Sequence, residues 1–250
     1  MKYTVITGAS SGIGYETALA FAARGKNLIL VARRLDKLEE LKSAIHNNHP
    51  DLDIIIRTSD LSIADHAHTL YNHLKEYDIE TWINNAGLGE GSFVAEQNLE
   101  KVEDMLRVNI ESLTILSALY VRDYADVEGT QLINVSSALG YIIAIGSVAY
   151  SASKYYVSAF TEGLAKELEL KGAKMKAKVL APAITETEFA KKSIDAEDFD
   201  YKANMRKYHT AKEMAGFMVE LYDSNEVVGI VDQNYNFNVR GPIYPVLSEF

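Results

Sequence analysis

Three tyrosines of this 250-residue chain are each followed four residues later by a lysine: Tyr71 with Lys75, Tyr150 with Lys154, and Tyr208 with Lys212. On a helix that spacing puts the ammonium one turn from the phenol. A phenol in water holds its proton to about pH 10, so acid–base work near neutrality needs a cation beside it to stabilise the phenolate. All three pairs meet that condition. With 15 tyrosines and 17 lysines, about one such pair is expected by chance, so spacing alone does not choose among them. A second chemical feature is the run Thr7-Gly8-Ala9-Ser10-Ser11-Gly12-Ile13-Gly14, which lies between an apolar stretch and a helical pattern. Glycines there let the backbone turn sharply and let phosphate oxygens approach without a Cβ, while the helix start attracts the anion. The run is read as a dinucleotide phosphate loop.

Positioning such groups falls to the elements around them. Short β-branched runs alternate with longer stretches of helical periodicity, which predicts a parallel sheet with helices on both faces. Strands are expected at Tyr3 to Ile6, Leu28 to Ala32, Asp53 to Arg57, Thr81 to Asn84, Gln131 to Val135, Lys178 to Ala181 and Tyr235 to Val239. The fold class is therefore α/β, a doubly wound Rossmann-type sheet of about seven strands. Gly25 reads as the residue that ends a first helix from Ile13 to Arg24. Two long helices are expected at Leu99 to about Asp123 and at Ala149 to about Lys171. Residues 183–209 break the pattern with mixed aromatic and acidic residues and read as a lid. No repeat or linker divides the chain, so residues 1–250 are expected to form one domain.

The spacing T-G-x-x-x-G-x-G after the first strand resembles that of the short-chain dehydrogenase/reductase family, whose members are single Rossmann-type domains of about this length. The resemblance implies that Gly8, Ser10, Ser11, Gly12, Ile13 and Gly14 hold the pyrophosphate, that Asp60-Leu61 borders the adenine, and that Asn84-Asn85-Ala86-Gly87 borders its ribose. It also implies a carbonyl-orienting hydroxyl 13 residues before the catalytic tyrosine. Counting back gives Ser137 from Tyr150, Thr58 from Tyr71, and Asp195 from Tyr208. Of these, only Ser137 follows the fifth strand, and only Tyr150 starts a long helix. An asparagine in the preceding helix, Asn109, completes the family's set. Asn109, Ser137, Tyr150 and Lys154 are accordingly the expected catalytic residues. In reduction, a hydride passes to a carbonyl carbon while Tyr150 gives its proton to the oxygen. Ser137 holds that oxygen, Lys154 stabilises the phenolate and bonds the nicotinamide ribose, and Asn109 fixes a water that returns a proton from solvent.

The second strand ends in Val31-Ala32-Arg33-Arg34, with Ala32 where the resemblance would put an acid for NAD and Arg33 where NADP-preferring members carry a cation. A guanidinium grips a 2′-phosphate through paired hydrogen bonds. NADP(H) is therefore favoured over NAD(H). A second possibility pairs Arg33 or Arg34 with Asp36, Glu39 or Glu40 on the next helix. Pro182, Thr185, Thr187, Tyr150 and Lys154 complete the expected cofactor contacts. There are two departures from the family's pattern: Ala183 stands where a glycine is usual and Thr185 where an aliphatic residue is. Ala183 is tolerable if its φ stays negative. Leu88, Phe93, Ser137, Tyr141, Ile142, Ile145 and Phe189 are expected to wall a pocket for a hydrophobic ketone, aldehyde or alcohol, with Phe199 and Tyr201 in the lid above it. Trp82 is expected to report cofactor binding optically.

A formal charge of −10 disfavours nucleic acid. It also disfavours a 3-oxoacyl carrier-protein reductase, the nearest rival function, because an acidic carrier protein needs a basic docking patch. A dinucleotide-binding redox sensor without catalysis would have no use for the four relay residues. A metal hydrolase on His66, His68 and His73 is weaker still. Two residues apart on a helix, His66 and His68 point to different sides, so no metal is expected. The absence of cysteine removes thiol chemistry and is compatible with a reducing cytoplasm, the expected location. No signal peptide or membrane span is visible. By the family resemblance, the two long helices form a homodimer or homotetramer interface.

Overall fold

The computed structural model describes residues 1–247. Strands β1 (Lys2–Thr7), β2 (Asn27–Ala32) and β3 (Ile54–Thr58) alternate with helices α1 (Gly12–Ala22) and α2 (Leu35–Asn48). Helix α3 (His66–Leu74) then leads into β4 (Asp78–Asn84). Helix α4 (Leu99–Leu106) runs through a π turn at Arg107–Ser112 into α5 (Leu113–Tyr124), followed by β5 (Gln131–Val135), α6 (Val148–Leu170) and β6 (Lys176–Ala181). Residues 183–210 hold β7 (Thr185–Glu186), α7 (Glu188–Ser193), α8 (Tyr201–Asn204) and β8 (His209–Thr210); α9 (Ala211–Asp223), β9 (Val228–Val231) and β10 (Phe237–Arg240) follow.

Among the described residues the main sheet has eight strands in the order β3-β2-β1-β4-β5-β6-β9-β10, all parallel except β10, which runs antiparallel to β9. Alternation along each strand divides the core into two layers. Ile6, Leu28 and Leu30 face α1, α2 and α9, while Val5, Ile29 and Val31 face α3, α5 and α6. Because the strand order reverses between β1 and β4, a crevice opens at the carboxyl ends of these strands, where such sheets bind ligands.

The sheet has one strand more than predicted. Val228–Val231 is short and interrupted by Gly229, which weakens its apolar signal. Its glycine has a packing reason: a Cβ there would stand 2.9 Å from the Phe237 ring. The predicted strand start at Tyr235 lies instead in the turn before β10, with a left-handed φ of +66°. Strands β4 and β6 begin earlier than expected because Asp78 and Glu80 in one, and Lys176 in the other, break the apolar run. Lys178 is buried and donates to the carbonyls of Leu221, Tyr222 and Ser224 at 2.8–2.9 Å, so it caps the carboxyl end of α9.

Candidate active site

The glycine loop is locked to the fourth strand by its neighbours. The Thr7 hydroxyl accepts the amides of Asn85 and Ala86, each at 3.0 Å, and the Asn85 side chain donates to the Thr7 carbonyl at 2.9 Å. Gly12 has φ +57°, and a Cβ on Gly14 would lie 2.4 Å from the Gly8 carbonyl oxygen. Any side chain would fill this turn, and with none present the loop and the start of α1 form a cradle suited to a pyrophosphate. Gly8, Ser10, Ser11, Gly12 and Ile13 line a cavity of about 940 Å³, while Gly14 sits behind them as a packing residue.

Along the same cavity lie Arg33, Asp60, Leu61, Asn85, Ala86, Gly87, Pro182, Thr185 and Thr187. Arg33 does not pair with α2; its guanidinium faces the Asp60 carboxylate at 3.7 Å. Asp60 also accepts the Ser62 amide and hydroxyl at 3.0 and 2.8 Å, and these bonds with the Arg33 charge outweigh burial and hold its carboxyl below the usual range. Arg34 makes the more consequential contact: its guanidinium donates to the Ser10 hydroxyl at 3.4 Å and to Glu188 at 3.2 Å, joining the glycine loop to α7. Glu188 is also bonded by Lys192, which with Arg34 keeps its carboxyl low. The sequence offers Arg34 only as a helix partner. Its actual partner, Glu188 at the start of α7, is a residue that spacing along the chain does not bring near.

Ser137, Tyr150 and Lys154 line the same cavity. Ser137 is the extended residue after β5; its hydroxyl accepts the Leu139 amide at 3.1 Å and reaches the Pro182 carbonyl at 3.5 Å. One helical turn of α6 separates Tyr150 from Lys154, whose ammonium lies 5.8 Å from the phenol ring centre and donates to the Val135 carbonyl at 3.0 Å. Burial pushes the Tyr150 phenol up to about 12, with the neighbouring Ser137 hydroxyl pulling the other way. Burial also brings the Lys154 ammonium down to about 8.

Asn109 sits in the π turn, a helical irregularity frequent at functional sites. Its side chain brackets Leu88, accepting the Leu88 amide and donating to the Leu88 carbonyl, both at 2.9 Å, and donates to the Ser153 hydroxyl at 3.1 Å. Both amide N–H bonds are therefore spent on protein, and a water held by donation from this side chain, the role the resemblance implied, has no N–H left. Ser153, inside the Tyr-x-x-x-Lys stretch, gives no sign of its part in the sequence; it also donates to the Tyr150 carbonyl at 2.7 Å.

The other two tyrosine–lysine pairs lie elsewhere. Tyr71 is buried in the core, donating to Asp123 at 2.8 Å, and the Tyr208 ring lies tilted against that of Tyr201. Among the predicted pocket residues, Leu88, Ser137, Tyr141, Ile142 and Phe189 line the cavity, the Phe189 ring standing 5.5 Å from that of Tyr150. Phe93 and Ile145 do not: they are 61% and 88% exposed, carried outward by the loops that hold them. Between residues 183 and 209, Tyr201 lines the cavity and its hydroxyl donates to the Thr187 carbonyl at 3.0 Å, whereas Phe199 packs on the Tyr201 ring and does not line it. Thr187 caps α7 by accepting the Phe189 amide, and Thr185 donates to the Ala183 carbonyl. Ala183 has no left-handed φ, so the missing glycine costs nothing there. Trp82 is enclosed between Tyr71 and Tyr120 and does not line the cavity, so it is a remoter reporter than expected. Among the described residues no cluster of metal-ligating side chains is found, and no helix is long and apolar enough to cross a membrane.

Residues 2–198 match the family model of the short chain dehydrogenases. An uncharacterized oxidoreductase of Staphylococcus saprophyticus is 32% identical over 253 residues, spanning 100% of this chain and 94% of its own. Among solved structures, a short-chain dehydrogenase from Sphingobium yanoikuyae in complex with NADPH superposes with a TM-score of 0.83 at 28% identity, over 92% of this chain and 87% of that one. A bulky-bulky ketone specific alcohol dehydrogenase from Comamonas testosteroni gives 0.80 at 26% identity, over 92% and 86%.

Proposed function

The chain belongs to the short-chain dehydrogenase/reductase family, and from that premise we propose that it is an oxidoreductase acting between NADP(H) and a hydrophobic ketone, aldehyde or secondary alcohol. One observation carries the reading: Ser137, Tyr150 and Lys154 line the same cavity as the glycine cradle. Bound along that cavity, the dinucleotide supplies or takes the hydride.

The protein's share is to hold an oxygen and move a proton. Tyr150 is the general acid in reduction, giving its phenolic proton to the substrate oxygen, and the general base in oxidation. With its phenol raised to about 12 it stays protonated at neutral pH, so it donates only where its anion is stabilised. The Lys154 ammonium provides that stabilisation. It is fixed by the Val135 carbonyl and has further N–H bonds to offer a ribose hydroxyl. Ser137 orients the substrate oxygen from a rigid strand end. Asn109 is a positioning residue that holds Leu88 and, through Ser153, the first turn of α6.

Preference for NADP(H) over NAD(H) is supported by Arg33 and Arg34 at the cavity's edge and by Ala32 in place of an acid. The NADPH held by the Sphingobium yanoikuyae relative agrees with that preference, and the ketone named for the Comamonas testosteroni relative agrees with an apolar pocket walled by Leu88, Ile142 and Phe189. Cytoplasmic location and assembly as a homodimer belong to the same proposal. The latter is supported by Leu99 and Leu106 on α4, with Val148 and Tyr156 on α6, which leave apolar surface exposed.

The test is loss of NADPH absorbance across a panel of aldehydes, diketones and aromatic ketones, run with the native protein and with Tyr150→Phe. The native protein should reduce members of the panel. Tyr150→Phe should lower kcat by at least about a hundredfold with NADPH affinity nearly unchanged. Normal turnover by Tyr150→Phe would sink the assignment.

A further inference from the structure

Four polar residues repeat at every fourth position along α6: Tyr150, Lys154, Ser158 and Glu162. They share one face of the helix. The first two face the cavity, but Glu162 lies two turns beyond Lys154 and takes no part in the proposed chemistry. It is nonetheless completely buried. No lysine, arginine or histidine pairs with it among the described residues. Its partners are three neutral donors: one carboxylate oxygen accepts the Tyr141 hydroxyl at 2.6 Å, and the other accepts the backbone amides of Ile243 and Tyr244. Burying a carboxylate is costly unless hydrogen bonds replace its water, and here three do. The burial and the hydrogen bond to Glu162 in turn push the Tyr141 phenol up, so it stays a donor.

These partners connect two distant parts of the chain. Tyr141 lines the cavity and ends the short segment that begins at Ser137. Residues 241–244 follow the last strand. The Tyr244 ring stacks on the Tyr141 ring, with centres 5.3 Å apart and planes 19° apart, and the Tyr244 hydroxyl donates to the Gly140 carbonyl. Gly140 is pressed against the same stripe of α6, where a Cβ would stand 2.5 Å from both the Ser136 and Ser158 hydroxyls. Those hydroxyls bond each other at 2.7 Å, and Ser136 donates to the Lys154 carbonyl at 2.9 Å. The segment from Ser137 to Tyr141 is thus held from one side by α6 and from the other by the C-terminal residues, with Glu162 joining the two.

We propose that Glu162 is a positioning residue of the substrate pocket, and that through it residues 241–244 brace the pocket wall from behind at Tyr141 and so set which carbonyl substituents fit beside Ser137. An apolar side chain at 162 could fill the space, but it could not aim the Tyr141 ring. This inference rests on the reading of the cavity as a carbonyl site.

The test compares Glu162→Gln, Tyr141→Phe and Tyr244→Phe with the native protein. Tyr244→Phe removes one hydroxyl outside the cavity and keeps the ring, so it remains informative if Glu162→Gln fails to fold. The first measurement is the ratio of kcat/KM for an unbranched aliphatic aldehyde to that for a bulky aromatic ketone. The second is hydrogen exchange of residues 137–147, and NADPH affinity is the control. Glu162→Gln and Tyr244→Phe should shift the ratio by about tenfold, with faster exchange in 137–147 and NADPH affinity unchanged. An unaltered ratio overturns the proposal, even if the melting temperature falls, because that is the result of a purely structural role. If the native protein reduces nothing in the panel, the carbonyl reading has failed and exchange alone decides. Faster exchange of 137–147 in Tyr244→Phe then supports the clamp, and unchanged exchange removes it.

Discussion

Lys154 offers a quantitative test of the proposed chemistry through pH. Burial brings its ammonium from 10.5 to about 8, a displacement of about 2.5 pH units that corresponds to about 3 kcal/mol at 1.36 kcal/mol per unit. If the protonated form is the one that steadies the Tyr150 phenolate and meets the ribose, activity follows its population. That population is about 90% at pH 7 and about 10% at pH 9 for a group with this midpoint. In NADPH-driven reduction, kcat/KM for NADPH reports ionisations of the cofactor-free protein, the state to which the midpoint applies. It should be level below pH 7, bend near 8, and fall about tenfold by pH 9. Lys154→Arg, whose guanidinium keeps its proton throughout, should lose the bend even if its overall rate is lower. A native profile level to pH 9.5, or the same bend in Lys154→Arg, would refute the link between this lysine and turnover. Stability should move the opposite way. Between about pH 8 and 10.5 the unfolded chain binds more protons at this position than the folded one, so folding stability contributed by Lys154 rises with pH across that window, by at most about 3 kcal/mol.

Asn109→Ala removes three hydrogen bonds and leaves both backbone groups of Leu88 unpaired, so thermal denaturation should register a loss of about 3 kcal/mol; a loss below about 0.5 kcal/mol would mean that water replaces the amide. Arg33→Ala should weaken NADPH by roughly 10- to 100-fold, the value of one or two charge-assisted hydrogen bonds, while sparing NADH; Arg34→Ala, which also frees Ser10 of the glycine loop, should weaken NADPH more than NADH. Equal losses for both cofactors in a fluorescence titration would count against 2′-phosphate recognition. Lys178→Met should destabilise the fold by about 2 to 4 kcal/mol, because three carbonyls at the end of α9 lose their donor; urea denaturation with an unchanged midpoint would contradict that.

How much of the molecule is legible in the sequence depends on whether a feature is local. Most strand positions rest on residues near one another in the chain, and these placements agree with the structure; the glycine turn and Tyr150, also chosen from local spacing, line one cavity, while Tyr71 and Tyr208 do not. Long-range contacts are out of reach. Arg34 meets Glu188 across 154 residues, Glu162 meets Tyr244 across 82, and neither pairing follows a period that a sequence displays. Phe93 and Ile145 illustrate the converse error: an apolar residue next to a site residue need not point inward when a loop carries it. The π turn at Asn109 is hidden for another reason. Apolar periodicity continues through it, so one helix is expected where the backbone widens by a residue.

The acidic balance of the chain bears directly on the proposed cofactor preference. A protein with a formal charge of −10 does not collect a polyanionic dinucleotide by its overall field, so recognition has to be local. Both local guanidinium groups already face carboxylates, Arg33 with Asp60 and Arg34 with Glu188. These pairs are partly exposed, with Arg33 at 56% and Arg34 at 37% side-chain exposure, and such pairs contribute about 1 kcal/mol or less each. A phosphate monoester carries nearly two charges and three acceptor oxygens, so it can take a guanidinium from a single carboxylate at small cost. A ribose hydroxyl cannot. The carboxylates thereby sharpen the contrast between the two cofactors: they hold the guanidinium groups at the cavity edge, and they yield them only to an anion stronger than themselves.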